Sequence, residues 1–232
     1  MLIALENNIF VIEDTAQAIG ATYTFHNGKK FKAGTIGKIG TTSFFPSKNL
    51  GCYGDGGALF TNDDALAKRL EAIVNHGMYQ RYYHEEIGVN SRLDSIQAAI
   101  LRVKLPYLDE YCAARRKAAA FYNVAFAEVP QLETPFVNSQ STHVFHQYTL
   151  KTKKINREEF IAFLNQKGIP AMIYYPVPLH QQKAYLRPEF NNENFPVTVE
   201  LCESVVSLPM HTELDQNQLK YITDSVLEFI NL

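Results

Sequence analysis

The run IFVIED, residues 9–14, constrains this chain more than any other stretch. Four apolar residues in succession do not alternate with polar ones, so a strand made from them has no face to leave to water. Such a run suits a strand buried on both faces, as in a parallel sheet. Open α/β sheets carry their ligand-binding groups at the carboxyl ends of strands, and Asp14 stands at that end. Residues 1–8 read as the last turns of a helix stopped by Asn7 and Asn8. A complete domain normally begins with its own capped element, so sequence upstream is expected to be missing.

Further along, ATYTFHNGKKFKAG alternates around Asn27-Gly28, a hairpin signal. IGTTSFF and GALFTN are strand candidates. Asn62 or Asp63 is placed to cap a helix over DDALAKRLEAIVNHG, ended by Gly77. An aromatic-rich loop, MYQRYYHEEIGVN, precedes a strongly helical stretch over residues 93–127 that Pro106 breaks or kinks. Composition then shifts. VFHQYTLK and IPAMIYYP read as strands, NREEFIAFLNQKG as a helix capped by Asn156 and stopped by Gly168, and residues 215–230 as a last helix. The pattern predicts an α/β protein with a large domain over 1–127, incomplete at its N-terminus, and a small α/β domain over 128–232.

Of the 232 residues, 46% are hydrophobic and 20% charged, enough for a packed core. A net charge of −2 gives no reason to expect nucleic acid or an anionic membrane as partner. No stretch approaches the roughly 18 consecutive apolar residues of a membrane span. The start lacks the basic flank and cleavage site of a signal peptide, and three dispersed cysteines match neither a disulfide framework nor a metal spacing. The expected location is the cytoplasm.

Lys48 lies in SFFPSKNLGCYGDGGALFTN, between an apolar run and a cluster of glycines. A solvated surface lysine needs no such setting; a lysine holding its amine beside a small molecule does. Pro46 stiffens the approach, and the glycines over 51–57 allow close backbone passage or positive φ. Ser43 could donate to a phosphate, but GxxxxGK[ST] is absent. Asp14 reads either as a turn carboxylate or as an acid keeping a ring nitrogen protonated, with Gln17 in reach of the same ligand if the turn is tight. In GVNSRLDSIQAAI, Asn90 and Arg92 stand at the entry to a helix, where amide donors favour anions; Ser91 capping an ordinary helix start is the alternative. His143 and His146 would point to opposite faces of a strand, so no metal site is expected there. His76, His84 and Tyr79 lie by the aromatic loop. YYPVPLHQQ, with Tyr174 and His180, reads as a packed turn or a binding edge.

Taken together, VIEDTAQAIGA, GTTSFFPSKNLGCYGDGGALFTNDD, NHG, VNSRLDSIQAAIL, YYPVPLH and SLPMH closely resemble the DegT/StrS family of nucleotide-sugar aminotransferases, fold-type I enzymes of pyridoxal 5'-phosphate. SFFPSK, LGCYGDGGA and GVNSRLD look closest to enzymes that aminate C3 of UDP-2-acetamido-3-keto-glucuronate on the way to bacterial surface polysaccharides, such as lipopolysaccharide O-antigen. The resemblance implies that Lys48 forms the internal aldimine, Asp14 pairs with the pyridine nitrogen, Gln17 meets the phenolic oxygen and Ser43 binds the cofactor phosphate. It implies further that Asn90 reaches that phosphate from the partner of a homodimer, that Arg92 holds an acidic group of the sugar nucleotide, and that glutamate is the amino donor. Tyr174 and His180 would lie on the sugar side, although Tyr174 stands where close relatives often carry His. The family's chains extend well upstream of Met1. Two other readings stay open: a binding or assembly module without catalysis, and a sugar dehydratase, whose members in this family replace the lysine by histidine.

Overall fold

The structure, a computed structural model, describes residues 1–231. It divides into two compact units, Met1–Ala113 with Val137–His146, and Ala114–Phe136 with Gln147–Leu232. Composition marks a boundary near residue 127; the packed units change over within a helix instead, and residues 137–146 return to the first unit.

The first unit opens with α1 (Leu2–Glu6), followed by β1 (Ile12–Asp14). The hairpin of β2 (Thr22–Thr24) and β3 (Lys30–Lys32) turns at Gly28, whose φ of 79° needs a residue without a Cβ. The loop is longer than a two-residue turn: the Gly28 N–H reaches the Phe25 carbonyl at 2.8 Å, and Phe25 N–H reaches that of Lys29 at 2.9 Å. Next come β4 (Ile39–Ser43), β5 (Gly57–Phe60) and α2 (Asp64–Val74). Asp63 caps α2 by accepting the Leu66 N–H at 3.0 Å. The predicted aromatic loop forms a small hairpin, β6 (Met78–Gln80) with β7 (Tyr83–His84). The helical stretch resolves into α3 (Ser95–Lys104), a 3-10 turn through Pro106, and α4 (Leu108–Phe126), which runs on into the second unit.

In the sheet ordered β1-β4-β5, β1 runs parallel to β4 with Asp14 opposite Thr41, and β5 is antiparallel to β4. The expectation of a strand buried on both faces fails here. Phe10 is 82% and Ile12 64% exposed, because β4 is the one strand paired with β1 among the described residues. Threonines cross-link the parallel pair: Thr15 Oγ1 donates to the Thr41 carbonyl at 2.8 Å, and Thr42 Oγ1 to that of Thr15 at 3.2 Å. Phe44, Leu50, Cys52 and Leu101 form a buried cluster against Ile19, Ala58 and Leu108.

The second unit contains β8 (Leu132–Glu133), whereas β9 (Ser141–Thr142) pairs with β2 in the first. An antiparallel sheet, ordered β11-β10-β8, is completed by β10 (Tyr148–Thr152) and β11 (Val205–Leu208), with α5 (Arg157–Gln166), α6 (Pro196–Ser204) and α7 (Gln216–Ile230). Asn156 caps α5 as predicted, and Asp215 caps α7 through a capping box with Gln218. Two predicted strands shrink. VFHQYTLK is a strand only from Tyr148, because Phe145 has a φ of 43° that breaks extended pairing. IPAMIYYP makes a single bridge, Met172 to Ser207, and forms no longer strand. No described helix is long and apolar enough to cross a membrane.

Candidate active site

Parallel pairing sets the site. Since β1 and β4 run the same way, Asp14 and Ser43 both stand at carboxyl ends on one edge of the sheet. Asp14 is exposed, and its Oδ1 accepts the Ala16 N–H at 3.0 Å. Gln17 is exposed within the turn that follows, which is tight: the Ala18 N–H reaches the Thr15 carbonyl at 2.9 Å. Ser43 Oγ accepts the Phe45 N–H at 3.2 Å, steering the chain out of β4.

Lys48 follows at once. Its own N–H closes a turn on the Phe45 carbonyl at 2.8 Å, so Pro46 and Ser47 form the tip and the half-buried Lys48 ends it. The following loop is folded back on the strand. Cys52 N–H donates to the Phe44 carbonyl at 2.8 Å, and Phe44 N–H to that of Gly56 at 2.7 Å. Gln97 Oε1 accepts the Tyr53 N–H at 2.8 Å and Lys104 Nζ donates to the Gly51 carbonyl, so α3 braces the loop from one side. The glycines serve close approach, not left-handed backbone: none of Gly51, Gly54, Gly56 and Gly57 has positive φ. A Cβ at Gly51 would sit 2.4 Å from the Pro46 carbonyl oxygen, and one at Gly57 2.8 Å from that of Thr42.

Asn90 and Arg92 take a different place from the one predicted. The helix begins at Ser95, and its N-cap is Asp94. Ser91 is thus four residues short of the helix; its N–H donates to the Val74 carbonyl and the Val89 N–H to that of Ile73, which lays this segment along the end of α2. Both side chains are exposed, and Arg92 Nε donates to Asn90 Oδ1 at 3.1 Å. Together they line a groove of about 1210 Å³ along β5 and α2, whose walls include Thr41, Gly57 and Asn62 but not Asp14, Gln17, Ser43 or Lys48. The candidate residues of the first unit thus form two sets, one on the sheet edge and one in the groove.

Tyr174 and His180 belong to the second unit. Tyr174 is half-buried beside Tyr175. His180 contacts Asn192 Oδ1 at 3.1 Å through Nε2 and packs on Phe195 at 4.8 Å, the arrangement of a packed turn.

Two residues escaped the sequence reading. Glu13, neighbour of Asp14, uses its carboxylate to collect the N–H groups of Gly34, Ile36 and Gly37 at 2.9, 2.6 and 2.6 Å, which holds the approach to β4 against β1. An acid inside an apolar strand was the available signal. Asn49, next to Lys48, is only 5% exposed and bonded at both ends of its amide. Near the groove, Glu86 joins Arg69 of α2 to Tyr79 of β6. The Tyr79 hydroxyl and the Arg69 guanidinium hold its carboxyl below the usual value, and the carboxylate in turn pushes the Tyr79 phenol up.

Comparison with known proteins gives this geometry a context. The pattern of the DegT/DnrJ/EryC1/StrS aminotransferase family matches residues 1–227. A pleiotropic regulatory protein of Geobacillus stearothermophilus is 45% identical over 229 residues, covering 98% of this chain and 60% of the relative. The UDP-2-acetamido-2-deoxy-3-oxo-D-glucuronate aminotransferase of Pseudomonas aeruginosa is 44% identical over 220 residues, covering 95% and 58%. Among solved structures, Streptomyces venezuelae DesV in complex with a ketimine intermediate superimposes with a TM-score of 0.91 at 36% identity, over 100% of this chain and 60% of that one. The chain spans about 60% of the length of these relatives.

Proposed function

Because the chain belongs to the DegT/DnrJ/EryC1/StrS aminotransferase family, we propose that it is part of a pyridoxal 5'-phosphate-dependent aminotransferase that moves an amino group from glutamate to a keto-sugar nucleotide, a UDP-linked 3-keto sugar. The carrying observation is that Asp14 and Ser43 stand at the carboxyl ends of two parallel strands, and that Lys48 ends the turn leaving the second of them, closed by its own N–H. That donor set fits the cofactor, which offers a ring nitrogen, a phosphate and an aldehyde. When bound, pyridoxal phosphate supplies an electron sink for charge left by proton removal next to the transferred nitrogen.

The protein's part follows from its own residues. Asp14, at the strand end, favours a protonated ring nitrogen by placing negative charge beside it. Gln17 is a donor for a phenolic oxygen, and Ser43 for a phosphate. The Lys48 Nζ would hold the cofactor through its aldehyde and, as a free amine, would move a proton between carbons as general base and acid. Arg92 offers a fixed, always charged fork for an acidic group of the sugar nucleotide. Its place with Asn90, in a groove whose walls leave out Asp14, Gln17, Ser43 and Lys48, supports a role in the site of a second copy, hence a homodimer. Tyr174 and His180 are the candidates for sugar contact. The cytoplasm, where sugar nucleotides are available, is the proposed location.

The test uses the polypeptide at the length of its relatives, with glutamate, pyridoxal phosphate and a panel of 3-keto and 4-keto sugar nucleotides. Mass spectrometry should show a UDP-linked 3-keto sugar gaining an amine; gain only by a 4-keto sugar refutes the substrate, and no gain by any refutes the activity. The regulatory name of the Geobacillus relative favours a second reading, a role without catalysis, for which no amine transfer and no cofactor uptake are expected.

A further inference from the structure

The residue after Lys48 is polar and buried. Asn49 is 5% exposed. Its Nδ2 donates to the Val144 carbonyl at 3.1 Å, and its Oδ1 lies 3.1 Å from His146 Nδ1. The carbonyl can only accept, so the amide's NH₂ must face it, and the Oδ1 must face the imidazole. It follows that His146 carries its proton on Nδ1 and donates. No rotation of either side chain leaves both bonds intact, so the arrangement has one orientation.

Asn49 is thereby tied to a segment 95 residues away in the chain. That segment is itself buried and bonded. Val144 is 2% and Phe145 4% exposed, and the Phe145 N–H donates to His143 Nδ1 at 2.9 Å. Just before it, β9 is paired with β2: Thr22 N–H donates to Thr142 Oγ1 at 2.8 Å, and Thr24 N–H to the Gln140 carbonyl at 2.7 Å. Only the turn segment over residues 15–21 separates β2 from Asp14. A continuous bonded path therefore leads from the Asp14 strand end through β2, β9 and residues 144–146 to the backbone of Lys48.

We propose that Asn49 is a positioning residue of the site: through Val144 and His146 it fixes where Lys48 presents its amine relative to Asp14. The inference rests on the functional reading above, because it assumes that Lys48 attaches a cofactor. It concerns the amide, not the catalytic groups, and it gives His146 a purpose unrelated to metal binding. An Asn in place of His146 keeps a donor nitrogen where Nδ1 now stands; an Ala does not.

The experiment uses the polypeptide at the length of its relatives in five forms: unaltered, Asn49→Ala, His146→Ala, His146→Asn and Lys48→Ala. Each is incubated with pyridoxal phosphate, reduced with borohydride, and examined by mass spectrometry for label on Lys48. The dissociation constant and the pH midpoint of the visible absorption band of the bound cofactor are also measured. Asn49→Ala and His146→Ala should bind about 10–100-fold more weakly, the size of loss seen when a partner that orients a binding group is removed. Their pH midpoints should move, and His146→Asn should restore both properties. His146→Ala, at a half-buried position, serves if Asn49→Ala fails to fold. Label on the unaltered protein with unchanged affinity and midpoint in His146→Ala or Asn49→Ala overturns this inference alone. Equal loss in His146→Asn and His146→Ala also overturns it, since the donor would then not matter. Absence of label on the unaltered protein overturns the functional reading, and the inference with it.

Discussion

At the scale of single residues, Lys48 is set apart by its neighbours. Its turn is closed on Phe45, braced from α3 and followed by Gly51, so the amine projects from a backbone with little freedom. Lys48→Ala in the longer polypeptide is expected to abolish the visible band of the bound cofactor and lower amine transfer by at least about 10²–10⁴-fold, the span of a lost general acid–base group. Its unfolding midpoint in urea should barely change, because the lysine makes no described side-chain hydrogen bond that packing depends on. Glu86 offers a pH-dependent case. Its hydrogen bond from Tyr79, with that from Arg69, lowers its pKa from the ordinary value of 4.5. A carboxyl depressed in the folded state contributes stability above its unfolded pKa and loses it as pH falls through the folded one. The β6–β7 hairpin should therefore be protected at neutral pH and loosen progressively as pH falls from about the ordinary 4.5 through the lowered value. Hydrogen exchange across residues 78–84 against pH measures this, and Glu86→Gln should remove most of the pH dependence.

At the scale of elements, the loop over residues 44–57 depends on contacts that no side chain can share. A Cβ at Gly51 would stand 2.4 Å from the Pro46 oxygen and 2.8 Å from that of Phe45. Since the φ of Gly51 is not positive, the obstacle is steric crowding, not backbone preference. Gly51→Ala must push the turn off Leu50 and Cys52, at a cost of about 1–3 kcal/mol, typical of overpacking. Urea unfolding should show a lower midpoint with an unchanged slope, and cofactor uptake should fall with it. By contrast Gly28→Ala meets nothing within 4 Å but forces an L residue to a φ of 79°. Its cost should be about 1 kcal/mol and confined to the hairpin. One substitution acts through space and the other through dihedral angle, although both replace a glycine in a turn.

At the scale of the whole molecule, the outer rim of β1 is the conspicuous liability. Ile9, Phe10 and Ile12 are 59%, 82% and 64% exposed, and Leu2, Ile3 and Leu5 of α1 are all above 70%. Exposed apolar strand edges template association. The 232-residue polypeptide alone is expected to self-associate in sedimentation velocity at micromolar concentration, and Phe10→Lys with Ile12→Lys to reduce it; a monodisperse monomer would refute this. What the sequence by itself determined were features closed within a few residues: the caps at Asp63 and Asn156, the turn at Gly28, the break at Pro106, and the lysine segment with its ordered companions. Each is settled by local hydrogen bonds and dihedral angles that neighbouring residue types dictate. Tertiary structure alone decided that residues 137–146 return to pair with β2, that the units change over inside α4, that Asn90 and Arg92 lie along α2 instead of opening a helix, and that Asn49 is bound across 95 residues of chain. Those outcomes depend on which distant surfaces close on one another to satisfy buried polar groups, and no pattern within a short window of residues carries that information.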